Sequence, residues 1–340
     1  MNTESLLPPI WGVFVIAAAV SAGLIAVSQP LMRRYALAHP NARSSHSQPT
    51  PQGGGLAVIA ATIVAIVAVS IVYGLQDAVL VPLRIVLLAI AAMAVVGAVD
   101  DIRTIEVVPR LLCQTVLVAA VLWALPHEFR LIEPLPWWLD RAVMLIAGVW
   151  FVNLVNFMDG LDWMTVAEVV PVAAGLVLVG AAGALPPYAV VTAAALGGAI
   201  VGFAPFNRPV ARLFLGDVGS LPIGLLLGWL LAMLAVRGEF AAAVLLPLYY
   251  LADATITVLR RIAEGERPWE SHRTHFYQRA TAGGFSVREI VTRVFIVNLG
   301  LVMLAAATVL TQARWVDAAA LAAGALLVGW LLVTFKRGKR

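Results

Sequence analysis

The sequence predicts an all-α fold, a polytopic bundle of about 11 transmembrane helices. Hydrophobic residues make up 61% of the 340-residue chain and charged residues only 12%, whereas soluble domains contain about 25% charged residues. The apolar runs extend over roughly 20 residues, the length at which a helix crosses a bilayer, and none alternates with the period of a barrel strand. The predicted spans are 10–30, 54–73, 81–99, 110–125, 139–157, 164–182, 186–204, 219–236, 240–259, 289–311 and 315–335.

The distribution of basic residues predicts the orientation of the bundle. Most of the 23 lysines and arginines fall on one face, which the positive-inside rule makes cytoplasmic, with a periplasmic amino terminus and a cytoplasmic carboxyl terminus. The net charge of +4 thus follows from topology, and no nucleic acid partner is predicted because no binding motif accompanies it. Residues 1–340 are predicted to form a single integral membrane domain. Its active-site loops would lie on the cytoplasmic face at about 31–54, 100–110, 153–163, 205–219 and 260–288.

The first loop ends with two prolines and three consecutive glycines, within residues 49–55. Proline stiffens the chain, and glycine lets backbone approach a ligand or a neighbouring helix closely. By itself, a glycine triplet before a helix more often marks a simple turn into the next span.

An acidic pair, Asp100 and Asp101, begins the second loop directly after an apolar run. Carboxylates at a helix carboxyl end oppose the macrodipole, by about 0.3–1 kcal/mol each at exposed sites. A divalent cation or a proton-accepting role would account for the pair. Two carboxylates that simply face water are an equally good interpretation.

The third loop contains two carboxamides and two carboxylates, at Asn153, Asn156, Asp159 and Asp162. Polar groups near membrane depth are costly and usually mark a functional path. Their oxygen atoms suit magnesium or a polar substrate better than zinc. Hydrogen bonding between helices is the alternative, and it accounts for one asparagine better than for all four residues.

The fourth loop leads into the eighth predicted span through Gly216 and Asp217. Backbone N–H groups at such a helix start are suited to bind phosphate. Asp217 is equally well interpreted as the helix N-cap, which is worth about 1 kcal/mol.

Arginines and histidines are concentrated in the fifth loop, a composition that suits anionic phosphates. The alternative is positive-inside charge that faces anionic lipid head groups, but the two histidines favour a site. The residues concerned are Arg260, Arg261, Arg267, His272, Arg273, His275 and Arg279.

Together these motifs resemble those of the polyprenyl-phosphate N-acetylhexosamine-1-phosphate transferases (glycosyltransferase 4 family). They occur in the family's order over about residues 39–279, and as a set they are very specific. The fifth-loop pattern, with His272 and His275 followed by Tyr277 and Gln278, is similar to the O-antigen-initiating branch. The matching pieces are Arg43, His46 and residues 49–55, the pair at 100–101, Asn153 to Asp162, residues 214–220, and His272 with His275.

The resemblance implies transfer of a sugar 1-phosphate, from a UDP-linked N-acetylated amino sugar to undecaprenyl phosphate, with release of UMP. It implies Mg2+ as cofactor, with Mn2+ as a substitute, and a site on the cytoplasmic side of the bacterial inner membrane. The lipid-diphosphate-sugar would initiate a cell-surface polysaccharide such as the O-antigen of lipopolysaccharide. The expected partners are the two substrates and membrane lipids. The resemblance is compatible with a homodimer.

Residue roles implied by the resemblance follow from position in the motifs. The residues implied to bind the metal are Asp217 and Asn156. The residues implied to act in catalysis are Asp100, Asp101, Asp159, His272 and His275. The residues implied to bind substrate are Asn153, Asp162, Phe214, Arg110, His46, Arg273 and Arg279, with Asp162 and Phe214 at the uracil.

Two other functions compete with this interpretation. Within the same family, a peptidoglycan-type phospho-sugar-pentapeptide transferase is the alternative, although those enzymes usually carry three consecutive histidines in the fifth loop. A secondary transporter is the alternative from another class. It would place its polar residues near the bilayer midplane in two repeated halves, whereas here they cluster at helix ends on one face.

Overall fold

Helices make up 78% of the chain that the computed structural model describes. The described residues are 10–35, 37–38, 49–73, 77–125, 128–267 and 272–339. Two strands of two residues each, β1 (Leu37–Ala38) and β2 (Thr50–Pro51), pair antiparallel beside the helices. The helices of this described part are α1 (Ile10–Tyr35), α2 (Gly54–Val72), α3 (Asp77–Ile102), α4 (Val107–Trp123), α5 (Trp137–Met158), α6 (Met164–Ala181), α7 (Pro187–Phe203), α8 (Asp217–Ala235), α9 (Phe240–Leu245), α10 (Leu248–Ala263), α11 (Phe276–Ala282), α12 (Val287–Thr311) and α13 (Arg314–Arg337).

Eight helices of the described chain are long and apolar enough to cross a membrane. They include α1, α2, α3, α5, α6, α8, α12 and α13, while α4 and α7 are apolar but only 17 residues long. A multi-pass membrane protein is therefore confirmed. The total of about 11 spans and their orientation stay predictions.

One predicted span is not a continuous helix. The stretch 240–259 is divided into α9 and α10, which meet at Leu246 and Pro247. Proline has no backbone N–H to donate, and its ring clashes with the preceding turn of a helix. The prediction of a single unbroken helix was wrong at this point.

The helix α8 lies at the centre of the bundle, packed against α2, α3 and α5. It is the most buried of the eight candidate spans. A Cβ on Gly97 of α3 would lie 2.2 Å from the carbonyl oxygen of Asp217, and one on Gly55 of α2 would lie 2.2 Å from the Cα of Gly219. Small residues thus let three helix backbones meet at the start of α8.

The glycine triplet joins the first loop to the fourth. Gly53 has a φ of 105° directly before α2, which confirms the turn. The backbone N–H groups of Gly54 and Gly55 also donate to the carbonyl oxygens of Phe214 and Leu215, both at 2.9 Å. The triplet therefore also provides the close backbone approach that glycine allows.

We expect Gly97→Ala to destabilise the folded protein by about 1–3 kcal/mol, because the added methyl group would overpack a backbone contact. The measurement is the thermal unfolding midpoint of the purified protein in detergent. Gly329→Ala is the matched control, since a Cβ there meets nothing within 4 Å and alanine favours the helix. Equal midpoints for the two variants would contradict this account of the packing.

Candidate active site

Asp101, at the end of α3, caps the start of α8. Its Oδ1 accepts a hydrogen bond from the backbone N–H of Asp217 at 2.9 Å, and its Oδ2 accepts one from Val218 at 3.1 Å. A carboxylate is stabilised there by unpaired N–H groups and by the positive end of the helix dipole. Two N–H groups of the predicted phosphate site are therefore already bound. The N-cap interpretation of Asp217 was also wrong, because Gly216 occupies that position.

The Asp100 side chain is buried, and its carboxylate binds different groups from those that bind Asp101. Its Oδ1 accepts from the backbone N–H of Ile105 at 2.6 Å, and its Oδ2 accepts from Nη1 of Arg110 at 2.8 Å. The same Nη1 lies 3.9 Å from Oδ2 of Asp217. With only 4% of the Asp100 side chain exposed, the interpretation of two carboxylates that face water was wrong. One guanidinium lies between two carboxylates instead.

The two asparagines of α5 have different partners. The Nδ2 of Asn156 donates to Oδ1 of Asp217 at 2.8 Å and to Oγ of Ser220 at 2.9 Å. The Nδ2 of Asn153 donates to Oε1 of Gln114 on α4 at 2.6 Å. Hydrogen bonding between helices therefore accounts for Asn153, while Asn156 belongs to the acidic cluster around Asp217.

Asp159 lies between α5 and α6 and accepts a hydrogen bond from the hydroxyl of Thr165. Burial raises the pKa of Asp159 to about 8; the hydrogen bond from Thr165 lowers this pKa, and the nearby charges of Asp217, Asp101 and Asp162 raise it. Because the carboxyl group is mostly protonated at neutral pH, it can donate a hydrogen bond as well as accept one.

Asp162 joins the third loop to the fourth. The carboxylate is buried, and its Oδ2 accepts from the backbone N–H of Ala211 at 2.9 Å. The next residue, Trp163, donates its backbone N–H to Oδ1 of Asn207 at 2.7 Å. Phe214 is half-buried, and its backbone N–H donates to the carbonyl oxygen of Pro51 at 2.8 Å. These residues hold the first, third and fourth loops together at one end of the bundle.

The two histidines of the fifth loop are stacked on each other, with ring centroids 4.8 Å apart and planes inclined by 30°. His275 is buried, and His272 is half-buried. Burial lowers the pKa of His272 to about 4, and the adjacent His275 and Arg261 lower it as well. His272 is therefore neutral at physiological pH.

Asp253 is the residue that the sequence interpretation missed. It lies fully buried in α10, and its Oδ1 is 3.2 Å from Nδ1 of His275. It stands inside the predicted span 240–259, so the argument from polar groups at membrane depth applies to it as it does to Asn153. Asp253 is the single charged residue in that stretch, whereas the predicted site residues occur in groups in the loops.

The remaining predicted residues have different surroundings where the structure describes them. Arg110 is in the acidic cluster, whereas Arg273 and Arg279 are exposed on the fifth loop. Arg260 donates from Nη2 to the carbonyl oxygen of Thr274 at 2.9 Å. His46 lies outside the described residues.

The third and fifth loops meet through Tyr277. Its side chain is fully buried, and its hydroxyl donates to the carbonyl oxygen of Phe157 at 3.0 Å. The described ends of α3, α5 and α10, and the starts of α6, α8 and α11, therefore form one contiguous polar region.

Residues 83–235 match the family model of glycosyl transferase family 4. The match supports that family, whose members are membrane transferases of phospho-sugars that act on polyprenyl phosphate. It runs from α3 to the end of α8 and so contains the acidic pair, both asparagines, Asp159, Asp162 and Asp217. The first and fifth loops lie outside the matched segment.

The Mg2+ that the resemblance to glycosyl transferase family 4 implies can be tested against the donor atoms. Among the described residues, no group of three or more His, Cys, Asp or Glu side chains is placed to hold a metal. Mg2+ often takes only one or two carboxylates and completes its shell with water and substrate phosphates. Asp217 and Asn156 offer hard oxygen donors of that kind, so the site fits a metal shared with substrate.

In the absence of divalent cations, we expect the Asp159→Asn variant to be more stable than the wild type. This gain in stability should be larger at pH 8.5 than at pH 5. The raised pKa of Asp159 means that its stabilising contribution is complete below about pH 4 and is lost as pH rises through about 8. Asparagine does not titrate, so this loss disappears in the variant. The measurement is the thermal unfolding midpoint of variant and wild type at both pH values. If the variant exceeds the wild type by the same number of degrees at both, the raised pKa is contradicted.

Proposed function

We propose that this protein transfers a sugar 1-phosphate from a UDP-sugar to undecaprenyl phosphate and releases UMP, with Mg2+ or Mn2+ as cofactor. The observation that carries the proposal is the cluster of Asp100, Arg110, Asn156 and Asp217, which lies wholly inside the segment matched to glycosyl transferase family 4. The reaction would take place at the cytoplasmic face of a bacterial inner membrane.

The phosphate charges of the two substrates account for the proposed roles of a metal ion and of arginines. Both substrates carry phosphate charge, so cations must screen them and stabilise the transition state. In the proposal, Asp217 and Asn156 hold the metal, which neutralises phosphate charge when bound. The exposed Arg273 and Arg279 would add positive charge from the fifth loop.

A mostly apolar groove of about 460 Å3 supports binding of a prenyl chain. It lies between α4, α5 and α10, and it is lined by Leu111, Ile146 and Trp150, with Arg110 and Asn153 also on its wall. A chain in this groove would bring its phosphate to Arg110, beside Asp100.

The reaction we favour is a direct displacement. An oxygen of the lipid phosphate forms a bond to the β-phosphorus of the UDP-sugar, while the bond from that phosphorus to the bridging oxygen breaks and UMP leaves. Asp100 would take the proton of the lipid phosphate once Arg110 has turned toward that phosphate. Asp100 and Arg110 are hydrogen-bonded at 2.8 Å, so the proposed proton acceptor lies beside the residue that would bind the lipid phosphate.

The nucleotide and the sugar would lie beside the third, fourth and fifth loops. We place the uracil near Asp162 and Phe214, on the third and fourth loops. The pair His272 and His275 would hold the diphosphate or the sugar. The fifth-loop pattern favours an N-acetylated amino sugar of the kind that initiates O-antigen synthesis.

We expect the purified protein in detergent to release UMP from a UDP-sugar only when undecaprenyl phosphate and Mg2+ are both present. Asp217→Asn should lower this rate by about 100-fold or more, because it removes a charged metal ligand. Asp317→Asn, in the first turn of α13, is the matched control and should retain the rate. A folded wild-type protein that releases no UMP from any donor would refute the proposal.

A donor panel in the same assay separates the two transferase types. Turnover of UDP-N-acetylglucosamine or its 6-deoxy relatives would support the O-antigen type. Turnover of a UDP-linked sugar pentapeptide alone would indicate the peptidoglycan type.

We expect no phosphorylated enzyme after incubation with UDP-sugar and Mg2+ in the absence of lipid acceptor, because direct displacement needs both substrates together. Mass spectrometry of the quenched protein measures this, with Asp100→Asn as the control for background modification. A phosphorylated peptide that contains Asp100 would establish the covalent route instead.

A further inference from the structure

Asp253 has no part in the reaction described so far, although five groups among the described residues lie within hydrogen-bonding distance of its two oxygens. It is fully buried, and a buried carboxylate is costly unless several donors compensate it. Donors to its two oxygens include the backbone N–H groups of Phe276 (2.9 Å) and Tyr277 (3.1 Å), Nδ1 of His275 (3.2 Å), and the hydroxyls of Tyr249 (3.2 Å) and Thr257 (3.4 Å). Consecutive residues of the fifth loop therefore converge on one carboxylate.

The contact with His275 fixes which ring nitrogen carries a proton. Asp253 already accepts hydrogen bonds from two backbone N–H groups and two hydroxyls, so we assign Nδ1 of His275 as the donor in this contact. Such a partner holds the tautomer and the orientation of an imidazole, as the buried aspartate of a catalytic triad does. The Nε2 of His275 is left for other contacts.

His272 carries its proton on the opposite nitrogen. Its Nδ1 lies 2.9 Å from the Thr274 hydroxyl and 3.3 Å from the Thr274 backbone nitrogen. A backbone N–H can only donate, so Nδ1 is the acceptor and the proton of the neutral ring is on Nε2. The stacked pair thus combines a buried imidazole held by Asp253 with a half-buried imidazole that has an N–H to donate.

The same carboxylate fixes the position of α11 against the third loop. It binds the backbone N–H of Tyr277, and the Tyr277 hydroxyl donates to the carbonyl oxygen of Phe157. A Cβ on Gly160 would lie 2.1 Å from that hydroxyl, so glycine is needed beside Asp159. Asp253 thus holds the start of α11, directly after the two histidines, in place against the third loop.

We propose that Asp253 is a positioning residue of the transferase reaction: it holds Nδ1 of His275 and the first residues of α11, and through them it orients His272. This inference rests on the proposed function. Asp253 contacts neither substrate in this scheme, since it is fully buried beneath the loop.

The test is a double-mutant cycle in the UMP-release assay, with wild type, Asp253→Asn, His272→Ala and the double variant. Asp253→Asn should lower kcat by about 10–100-fold, the usual effect of removing an outer-shell partner. In the His272→Ala background the same change should cost no more than about twofold, because residues that act as a unit are not additive. Asp253→Glu, which keeps the charge, should recover part of the lost rate.

Asp140→Asn is the matched control for a purely structural effect. Asp140 is also a fully buried carboxylate, and its Oδ1 accepts from the backbone N–H groups of Leu131 and Ile132 at 3.0 and 2.8 Å, far from the candidate site. This variant should retain kcat. If Asp253→Asn does not fold, the cycle is run with Asp253→Glu, which should show the same dependence on His272.

The outcomes separate this inference from the proposed function. A wild-type protein without UMP release overturns both. Two results with an active wild type would overturn the positioning role but not the proposed transferase function. In the first, the effects of Asp253→Asn and His272→Ala on kcat multiply. In the second, Asp253→Asn and Asp140→Asn lower kcat equally.

Discussion

The hydrogen bonds from the start of α8 to the carboxylate of Asp101 are the interaction on which the rest of the site depends. They join the carboxyl end of α3 to the amino end of α8. A negative charge is unfavourable at the carboxyl end of α3 but favourable at the amino end of α8. Asp217 is the first residue of α8, and this contact therefore sets its position relative to Asn156 and Arg110. Gly97 and Gly55 make the contact sterically feasible, because they allow α2 and α3 to approach the α8 backbone.

Much of the architecture could be predicted because hydropathy constrains a membrane protein strongly. Long apolar runs must form helices when backbone groups cannot bond to water, and alternating spans bring every second loop to one end. The break between α9 and α10 is harder to see, since a single proline is also tolerated inside other helices of this chain, such as Pro171 in α6. Local sequence does not say which proline ends a helix.

Residue types in the candidate site were identified from the sequence, but their partners were not. Asp101 and Asp217 are 116 positions apart. No local sequence pattern indicates that the Asp101 carboxylate caps the helix that begins at Asp217. The choice between a solvated acid pair and a compensated one likewise depends on Arg110, which lies on another helix. Asp253 was missed for a related reason: its importance comes from donors about 22–24 residues further along the chain.

The arrangement around Arg110 has a consequence for how the site is filled. Asp100, Asp101 and Asp217 bring three carboxylates together, and the compensating charge described is one guanidinium and one helix terminus, which is worth about half a charge. Such a cluster of carboxylates favours a bound cation, although the proposed substrates are themselves anions. Cations are attracted to such a cleft and phosphates are repelled from it. In the proposed reaction, a cation would therefore bind first, and the two phosphate-bearing substrates would follow.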